Sequence, residues 1–342
     1  MPLTHYLRLK LLGRLAREIG ALRLVLVLPL LGLALLQVLA VLGGHPVGRW
    51  ALPGLLGLAL LGVHRQRADA QFLATTLRRP APYLAAEYAL LSLPLAGGLL
   101  GMQAPGAALL SLCVAALVAW APPARPGRAT RHRWPSLFRA EAFEWVGGLR
   151  GPGGLLWPGL LALAAWPWAK PVGPVVALLG WLLVVLGCYG TPEPLTMLAL
   201  ALRQPGQFLR RRLALGLGYA ALTAAPLLAC LGSGRLALIL GGYWLALLAL
   251  CILAKYAFYP NAPHIRVTQG LVLALGLLAL GHPAFPPLML VAVSGLIWQS
   301  QRRLRSVLSS EPSPSGPAIA SPTSAAADFL ANPEPVAINS PN

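Results

Sequence analysis

The sequence predicts an all-α, polytopic transmembrane helix bundle, and three observations lead to that fold class. Of the 342 residues, 57% are hydrophobic and only 11% are charged, whereas soluble globular proteins carry about 25% charged residues. The hydrophobic residues fall in runs long enough to cross a bilayer. The formal net charge of +18 comes from clusters between those runs, a pattern typical of membrane topology and not of nucleic-acid binding.

Ten apolar runs are predicted to span the membrane. A hydrocarbon core about 30 Å thick is crossed by about 20 residues of helix. The runs occupy residues 24–43, 47–63, 83–101, 104–122, 154–169, 172–190, 213–231, 235–253, 267–281 and 283–299. Short turns containing Gly or Pro separate several neighbours, which indicates helical hairpins.

The distribution of basic residues predicts the orientation of these spans. If the N-terminus is cytoplasmic, only Arg49, Lys170 and Arg235 lie on the outer side, which leaves 24 of the 27 Lys and Arg inside. Such an excess is typical of cytoplasmic loops. Because the number of spans is even, both termini are then expected in the cytoplasm.

The two ends of the chain differ from the bundle, which is assigned to residues 24–306. Residues 1–23 predict a basic amphipathic interfacial helix, with leucines on one side and Lys10 and Arg14 on the other. The alternative is a plain cytoplasmic extension of the first span. Residues 307–342 contain seven prolines, many Ser and Ala, and no Lys or Arg, which predicts a disordered cytoplasmic tail.

Motifs of enzymes and ion-coupled transporters are missing from the sequence. The central thirds of the predicted spans contain no Asp, Glu, Lys, Arg or His, which disfavours proton- or sodium-coupled transport. The chain has no H-E-x-x-H, G-x-S-x-G or phosphate-loop motif. Its six histidines and four cysteines lack metal-ligand or disulfide spacing. We therefore expect no catalytic residue, metal or cofactor, and any ATP-driven work must come from another polypeptide.

Two predicted cytoplasmic loops resemble each other at an offset of 125 residues. When residues 72–84 are laid over 197–209, six of the thirteen positions are identical. The identical pairs are Leu73/Leu198, Ala74/Ala199, Leu77/Leu202, Arg78/Arg203, Pro80/Pro205 and Leu84/Leu209. Each loop predicts a short amphipathic helix that ends at a proline. Either this is a chance match in a chain rich in Leu and Ala, or it is a four-helix repeat that places both loops on one face.

The first of these loops also carries a family resemblance. Residues 64–73, His-Arg-Gln-Arg-Ala-Asp-Ala-Gln-Phe-Leu, resemble the first cytoplasmic loop of the Ecs-type permease subunits of bacterial ABC exporters. The pair Glu87-Tyr88 and the segment 255–260, Lys-Tyr-Ala-Phe-Tyr-Pro, are similar to the same family. The resemblance covers mainly the first hundred residues. It implies a subunit of the bacterial inner membrane that pairs with a separate ATPase and takes part in export.

Candidate residues for coupling to that ATPase lie in the two loops. Nucleotide binding moves helices only through contacts that differ between two states. The candidates are Arg67, Asp69, Phe72, Arg78, Arg203, Phe208 and Arg210. Asp69 is expected to hold Arg65 or Arg67, which leaves Phe72 to enter a partner groove. The alternative is that these arginines only fix topology and bind lipid phosphate.

Two further patterns lead to structural expectations. The third inner loop, with Glu144 and Trp145, predicts another surface helix at the membrane interface. Gly97 and Gly101, four residues apart, predict a close approach between helices.

The expected partners are therefore the lipid bilayer and a separate ATP-binding subunit, with no nucleic acid, and homodimerisation is left open. Two other functions are compatible with the sequence. The first is a non-transporting scaffold or assembly factor whose loops recruit partners. The second is an intramembrane lipid enzyme, for which no nucleophile or acid–base pair is visible.

Overall fold

The computed structural model describes residues 13, 20–65, 67, 73, 75, 79–122, 142–149, 154–190, 192–193, 205–282 and 285–309. Within these ranges all regular structure is helical. The helices are α1 (Ala21–Gly43), α2 (Pro46–Arg65), α3 (Pro80–Gly101), α4 (Pro105–Val118), α5 (Phe143–Gly148), α6 (Gly154–Ala165), α7 (Val172–Tyr189), α8 (Pro205–Ala229), α9 (Gly234–Ala257), α10 (Ala262–Gly281) and α11 (Phe285–Ser309). The predicted tail beyond residue 309 and nearly all of the predicted N-terminal interfacial helix lie outside the described residues.

The structure confirms an all-α bundle of the membrane type. Among the described residues, seven helices are long and apolar enough to cross a bilayer, namely α1, α2, α3, α7, α8, α9 and α10. Helices α4 and α6 are apolar but shorter, with 14 and 12 residues. Helix α11 has 25 residues and three arginines near its C-terminus. Each of the ten predicted runs coincides with one of these helices, and the count of ten spans stays a prediction.

Local sequence explains where several helices begin. Pro80, Pro105 and Pro205 open α3, α4 and α8, because a proline in the first turn has no N–H to leave unpaired. The side chains of Ser233 and Asn261 accept hydrogen bonds from the backbone N–H groups of Leu236 and His264, both at 3.4 Å. These contacts are N-caps for α9 and α10.

The outer surface of the bundle is apolar, and its most buried long helix is α7. Leu155, Trp168 and Leu238 are 81%, 84% and 79% exposed. An apolar surface of this kind matches lipid and not water. In α7, 61% of the apolar stretch is buried inside the protein, against 22% in α1, so α7 is the most buried of the seven long apolar helices.

The helices form two similar groups and an added hairpin. In the first group α4 packs against α2 and α3, and α1 packs against α2. In the second group α9 packs against α7 and α8, and α6 packs against α7. Helices α2 and α7 join the two groups, while α10 packs on α1 and α9, and α11 packs mainly on α9.

The two groups follow the 125-residue offset. Helix α3 begins at Pro80 and α8 at Pro205, and the bounds of α2 and α7 agree with the same offset to within one residue. A Cβ on Gly180 of α7 would lie 3.4 Å from Leu55 Cδ2 of α2, and these two positions are also 125 apart. Contact between equivalent positions of two equivalent helices is expected where a pseudo-two-fold axis relates the two groups. The described helices thus support the repeat, although most of the two loops lies outside the described residues.

The predicted packing role of Gly97 and Gly101 is wrong, because a Cβ on either would meet open space. The close approach is instead at Gly98, where a Cβ would overlap the Leu39 side chain of α1. Adjacent helical residues are rotated by about 100°, so the spacing alone left the packed face undetermined.

Gly48→Ala is expected to destabilise the protein by about 2 kcal/mol, because its Cβ would overlap the Leu42 carbonyl and force open the turn between α1 and α2. Gly54→Ala, in the same helix with nothing within 4 Å, is the matched control and should change stability by less than about 0.5 kcal/mol. Thermal unfolding of the two variants in detergent checks the prediction, and equal melting temperatures would contradict it.

Candidate functional site

Charged and polar side chains gather at one end of the bundle, where α2, α4, α7 and α9 end and α3, α8 and α10 begin. We call this the inner end, because the predicted cytoplasmic segments lie there. Two clusters occupy it. The first cluster is His64, Arg67, Glu87 and Tyr88, and the second cluster is Glu144, Glu193, Arg212 and Lys255.

The first cluster is a chain of hydrogen bonds around two buried rings. His64 Nε2 lies 3.0 Å from the Ala121 carbonyl oxygen, which can only accept, so Nε2 carries the hydrogen. His64 Nδ1 therefore accepts from the Tyr88 hydroxyl at 2.9 Å. The Tyr88 oxygen in turn accepts from Arg67 Nη1 at 3.2 Å. The chain fixes the inner ends of α2 and α3 to the residues that follow α4.

Arg67 also forms an ion pair at the rim of the first cluster. Its Nη2 lies 3.1 Å from both carboxylate oxygens of Glu87. Because the Glu87 side chain is 28% exposed, solvent weakens this pair, and its main effect is to hold residue 67 against α3.

The second cluster is an alternating row of four charges inside the protein. Lys255 Nζ lies 2.6 Å from Glu193 Oε1 and 3.7 Å from Glu144 Oε1. Arg212 Nη1 lies 3.4 Å from Glu144 Oε2. The Lys255 side chain is only 1% exposed and both glutamate side chains are 5% exposed. Since buried charges persist only when they are paired, two cations and two carboxylates must be buried together here.

Aromatic side chains enclose the second cluster. The hydroxyls of Tyr256 and Tyr259 donate to Glu193, to Oε1 at 3.4 Å and to the backbone oxygen at 2.6 Å. Lys255 Nζ lies 5.5 Å from the ring centre of Tyr189 and 5.8 Å from that of Tyr256. The Trp145 indole donates to the Tyr189 hydroxyl at 2.9 Å. These rings keep water out and stabilise the ammonium through cation–π contacts.

The second cluster joins four separate parts of the chain. Glu144 comes from α5, Glu193 from the segment after α7, Arg212 from α8 and Lys255 from α9. Pro192 and Pro194 flank Glu193, and a residue before proline avoids helical geometry. Glu193 therefore lies on a non-helical segment that follows the end of α7. Buried charges thus hold α5 and this segment to the bundle.

Burial raises the pKa of the Glu144 carboxyl above its usual value, while Lys255 and Arg212 act in the opposite direction. Burial, with a smaller contribution from Glu193, also raises the pKa of the Tyr259 hydroxyl. Within the described ranges, no group of three His, Cys, Asp or Glu could hold a metal ion. The ion pairs of the second cluster are suited to holding helix ends together.

The structure describes three of the seven predicted coupling residues. Arg67 belongs to the first cluster. Phe208 is 8% exposed and packs edge-on against Tyr256, whereas Arg210 is exposed. Asp69, Phe72, Arg78 and Arg203 lie outside the described residues. The docking role of all seven stays a prediction.

The expectation that Glu144 and Trp145 belong to a surface helix is wrong. Glu144 is 7% exposed and Trp145 is 1% exposed. Both can be buried because Glu144 has two cations beside it and the Trp145 N–H has an acceptor in Tyr189. Neither partner is close in sequence, so the local pattern could not reveal them.

The sequence patterns did not predict several of the cluster residues as site residues. Glu87-Tyr88 and residues 255–260 entered only through the family resemblance and were not chosen as site residues. The 125-residue offset is the other signal, since it relates His64 to Tyr189 and Glu87 to Arg212. Glu87 and Arg212 are each the eighth residue of their helix, so equivalent places in the two halves carry groups of opposite charge, each in an ion pair.

Comparison with protein-family models, with curated proteins and with solved structures finds no match for this chain.

Lys255→Met is expected to lower the free energy of unfolding by about 3 kcal/mol, because it leaves two buried carboxylates without their shared cation. Lys170→Met is the matched control, since Lys170 is exposed and its loss should cost less than about 0.5 kcal/mol. Thermal unfolding in detergent measures both. A Lys255→Met protein as stable as the control would show that the second cluster does not hold the fold together.

Proposed function

We propose that this chain is the permease-like membrane subunit of an ATP-driven, ABC-type exporter, coupled at its inner end to a separate cytoplasmic ATPase. The observation that supports this proposal best is the agreement of the helix bounds at the 125-residue offset, together with the contact between the equivalent positions Leu55 and Gly180.

This arrangement suits the transmission of force. Arg67, two residues after α2, belongs to the first cluster, and Glu193, four residues after α7, belongs to the second. Each is tied to the start of the next helix or to a neighbouring helix by hydrogen bonds and ion pairs. A partner that moves Arg67 or Glu193 is therefore expected to move helix ends as well, because these contacts join the two residues to α3 and α9.

The proposal includes the finer topology. The ten helices α1 to α4 and α6 to α11 all cross the bilayer. The residues next to the short helices α4 and α6 complete their spans. Both termini lie in the cytoplasm and the membrane is the bacterial inner membrane. The excess of Lys and Arg at one side of the predicted spans supports this orientation.

Truncated fusions to a fluorescent reporter that folds only in the cytoplasm test the topology. A fusion after Trp134 is expected to fluoresce, since it follows an even number of spans. A fusion after Lys170, between α6 and α7, is expected to be dark. The reverse pattern would contradict the orientation, and fluorescence from both would contradict α6 as a span.

Affinity isolation of the full chain in mild detergent tests the coupling. We expect an ATPase to co-purify, and the double variant Asp69→Ala with Phe72→Ala to reduce its recovery at least about tenfold, a loss of about 1.4 kcal/mol of binding free energy. Membrane insertion should be unchanged. Lys170→Ala, on the predicted outer side, is the control and should leave recovery intact.

The outcomes separate the candidate functions. Full recovery of the ATPase by the double variant would reject docking through these two residues. Recovery of other cytoplasmic or envelope proteins without any ATPase would reject the permease proposal and favour the scaffold.

A further inference from the structure

Helix α11 packs on the bundle with one side and leaves the opposite side uncovered. Leu296, Ser300 and Leu304, which follow one another at four-residue intervals, are all buried. The Arg303 Nε donates to the backbone oxygen of Tyr259 at 2.8 Å. These contacts fix how α11 is rotated about its own axis, and they therefore determine which of its side chains face outward.

The outward side of α11 carries apolar residues first and cations last. Val291 and Trp298 are 68% and 63% exposed, and Arg302 and Arg305 are also exposed. At about 100° per residue these four positions lie within about 60° of one another around the helix, and they extend over about 21 Å along it. We call them the α11 stripe. The order matches that of a lipid, with hydrocarbon beside Val291, the interface at Trp298 and phosphate at the arginines.

The two arginines of the stripe lack an anionic partner within α11, which contains no Asp or Glu. Neither of them forms an ion pair with a described residue. Arg302 Cζ lies 5.4 Å from the centre of the Trp298 ring, a cation–π contact that restrains the guanidinium group but supplies no oxygen acceptor. Residues three apart in a helix are neighbours, so Arg305 lies beside Arg302, and an anion between them relieves their repulsion.

A second copy of this chain is a poor partner for the α11 stripe. In a two-fold symmetric dimer the same surface patch of each copy meets the other. The arginines of one copy would then lie near those of the next, and like charges brought together are unfavourable. The charge of the stripe therefore favours an anionic partner that also has a hydrocarbon part.

We propose that the α11 stripe binds an anionic phospholipid of the inner leaflet, with its phosphate held by Arg302 and Arg305 and an acyl chain beside Val291. Guanidinium groups donate paired hydrogen bonds to phosphate oxygens and are attracted by their charge. Trp298 sets the depth of the phosphate, since indole rings favour the boundary between hydrocarbon and headgroups. The lipid covers the side of α11 that the protein leaves open. This inference rests on the proposed crossing of the bilayer by α11 and does not require the ATPase.

Binding of acyl-labelled fluorescent phosphatidylglycerol to the full-length protein in detergent tests the proposal. Energy transfer from the tryptophans to the label reports binding, and phosphatidylcholine with the same label is the neutral reference. We expect phosphatidylglycerol to bind at least about tenfold more tightly, because each arginine near an anionic headgroup contributes about 1 kcal/mol. Equal affinity for the two lipids would overturn the proposal, whether or not the variants fold.

Three variants assign the binding to the stripe. Arg302→Gln combined with Arg305→Gln should weaken the binding of phosphatidylglycerol about tenfold. Trp298→Leu keeps the apolar contact but removes the cation–π contact, and it should weaken binding about threefold. The matched control is Lys170→Gln combined with Arg235→Gln, which removes two exposed cations of the predicted outer side and should leave the affinity unchanged. An equal loss in this control would show that overall charge attracts the lipid, and would overturn the site.

Other occupants of the stripe give different results. Inorganic phosphate should displace the lipid no better than sodium chloride of equal ionic strength, because it lacks the acyl chain. Specific displacement would indicate a soluble anion and overturn the lipid site. Cross-linked dimers that form in nanodiscs with the wild type but not with the double arginine variant would assign the stripe to a second copy and also overturn it.

A fluorescent-reporter fusion after Ser309, the last residue of α11, tests the crossing of α11 separately. We expect fluorescence, because the fusion follows an even number of spans. A dark fusion would place the arginines at the outer side and overturn the inner-leaflet site. Failure of an ATPase to co-purify would instead count against the exporter proposal alone.

Discussion

The inner end of this protein depends on the electrostatic neutralisation of Lys255. Its ammonium group is buried within 4 Å of two carboxylates that come from different parts of the chain. Burial of one such charge without its partners is expensive, so the row from Glu193 to Arg212 forms as a unit. The positions of α5 and of the segment after α7 follow from that requirement, as does the ring of tyrosines that keeps water away.

The two clusters hold helix ends together with different kinds of polar contact. Around Tyr88 the first cluster uses hydrogen bonds with His64 and Arg67 and keeps its ion pair near solvent, where Glu87 remains partly exposed. The second cluster places four charges inside aromatic packing. If the halves derive from one repeat, the position near the start of the third helix kept a charged residue in both halves. The sign of the charge differs, since this residue is Glu87 in the first half and Arg212 in the second. The second cluster contains two buried glutamates, whereas the first cluster has a single, partly exposed glutamate.

The lipid environment explains the rest of the architecture. Exposed Leu155 and Leu238 cost nothing against hydrocarbon, whereas every polar group among the spans needs an internal partner. Trp157 and Trp181 both donate to Thr223. The indole N–H of Trp157 donates to its backbone oxygen, and that of Trp181 donates to its hydroxyl. Polar contacts of this kind fix helix rotation more specifically than apolar packing, which lipid tails can replace.

The sequence by itself determined the fold class, the ten apolar segments and the asymmetry of the basic residues, because hydrophobic run length and charge position are local properties. It also indicated the 125-residue offset, which the bounds of α3 and α8 support. Only the tertiary structure decided which ionisable residues are buried. By its local sequence Glu144 resembles a surface residue, and it is buried because Lys255, more than a hundred positions away, lies beside it. Gly98 rather than Gly97 faces α1, because residue spacing does not fix how a helix is rotated about its own axis. Pairing between distant residues depends on how the helices pack, so a local pattern could not reveal it.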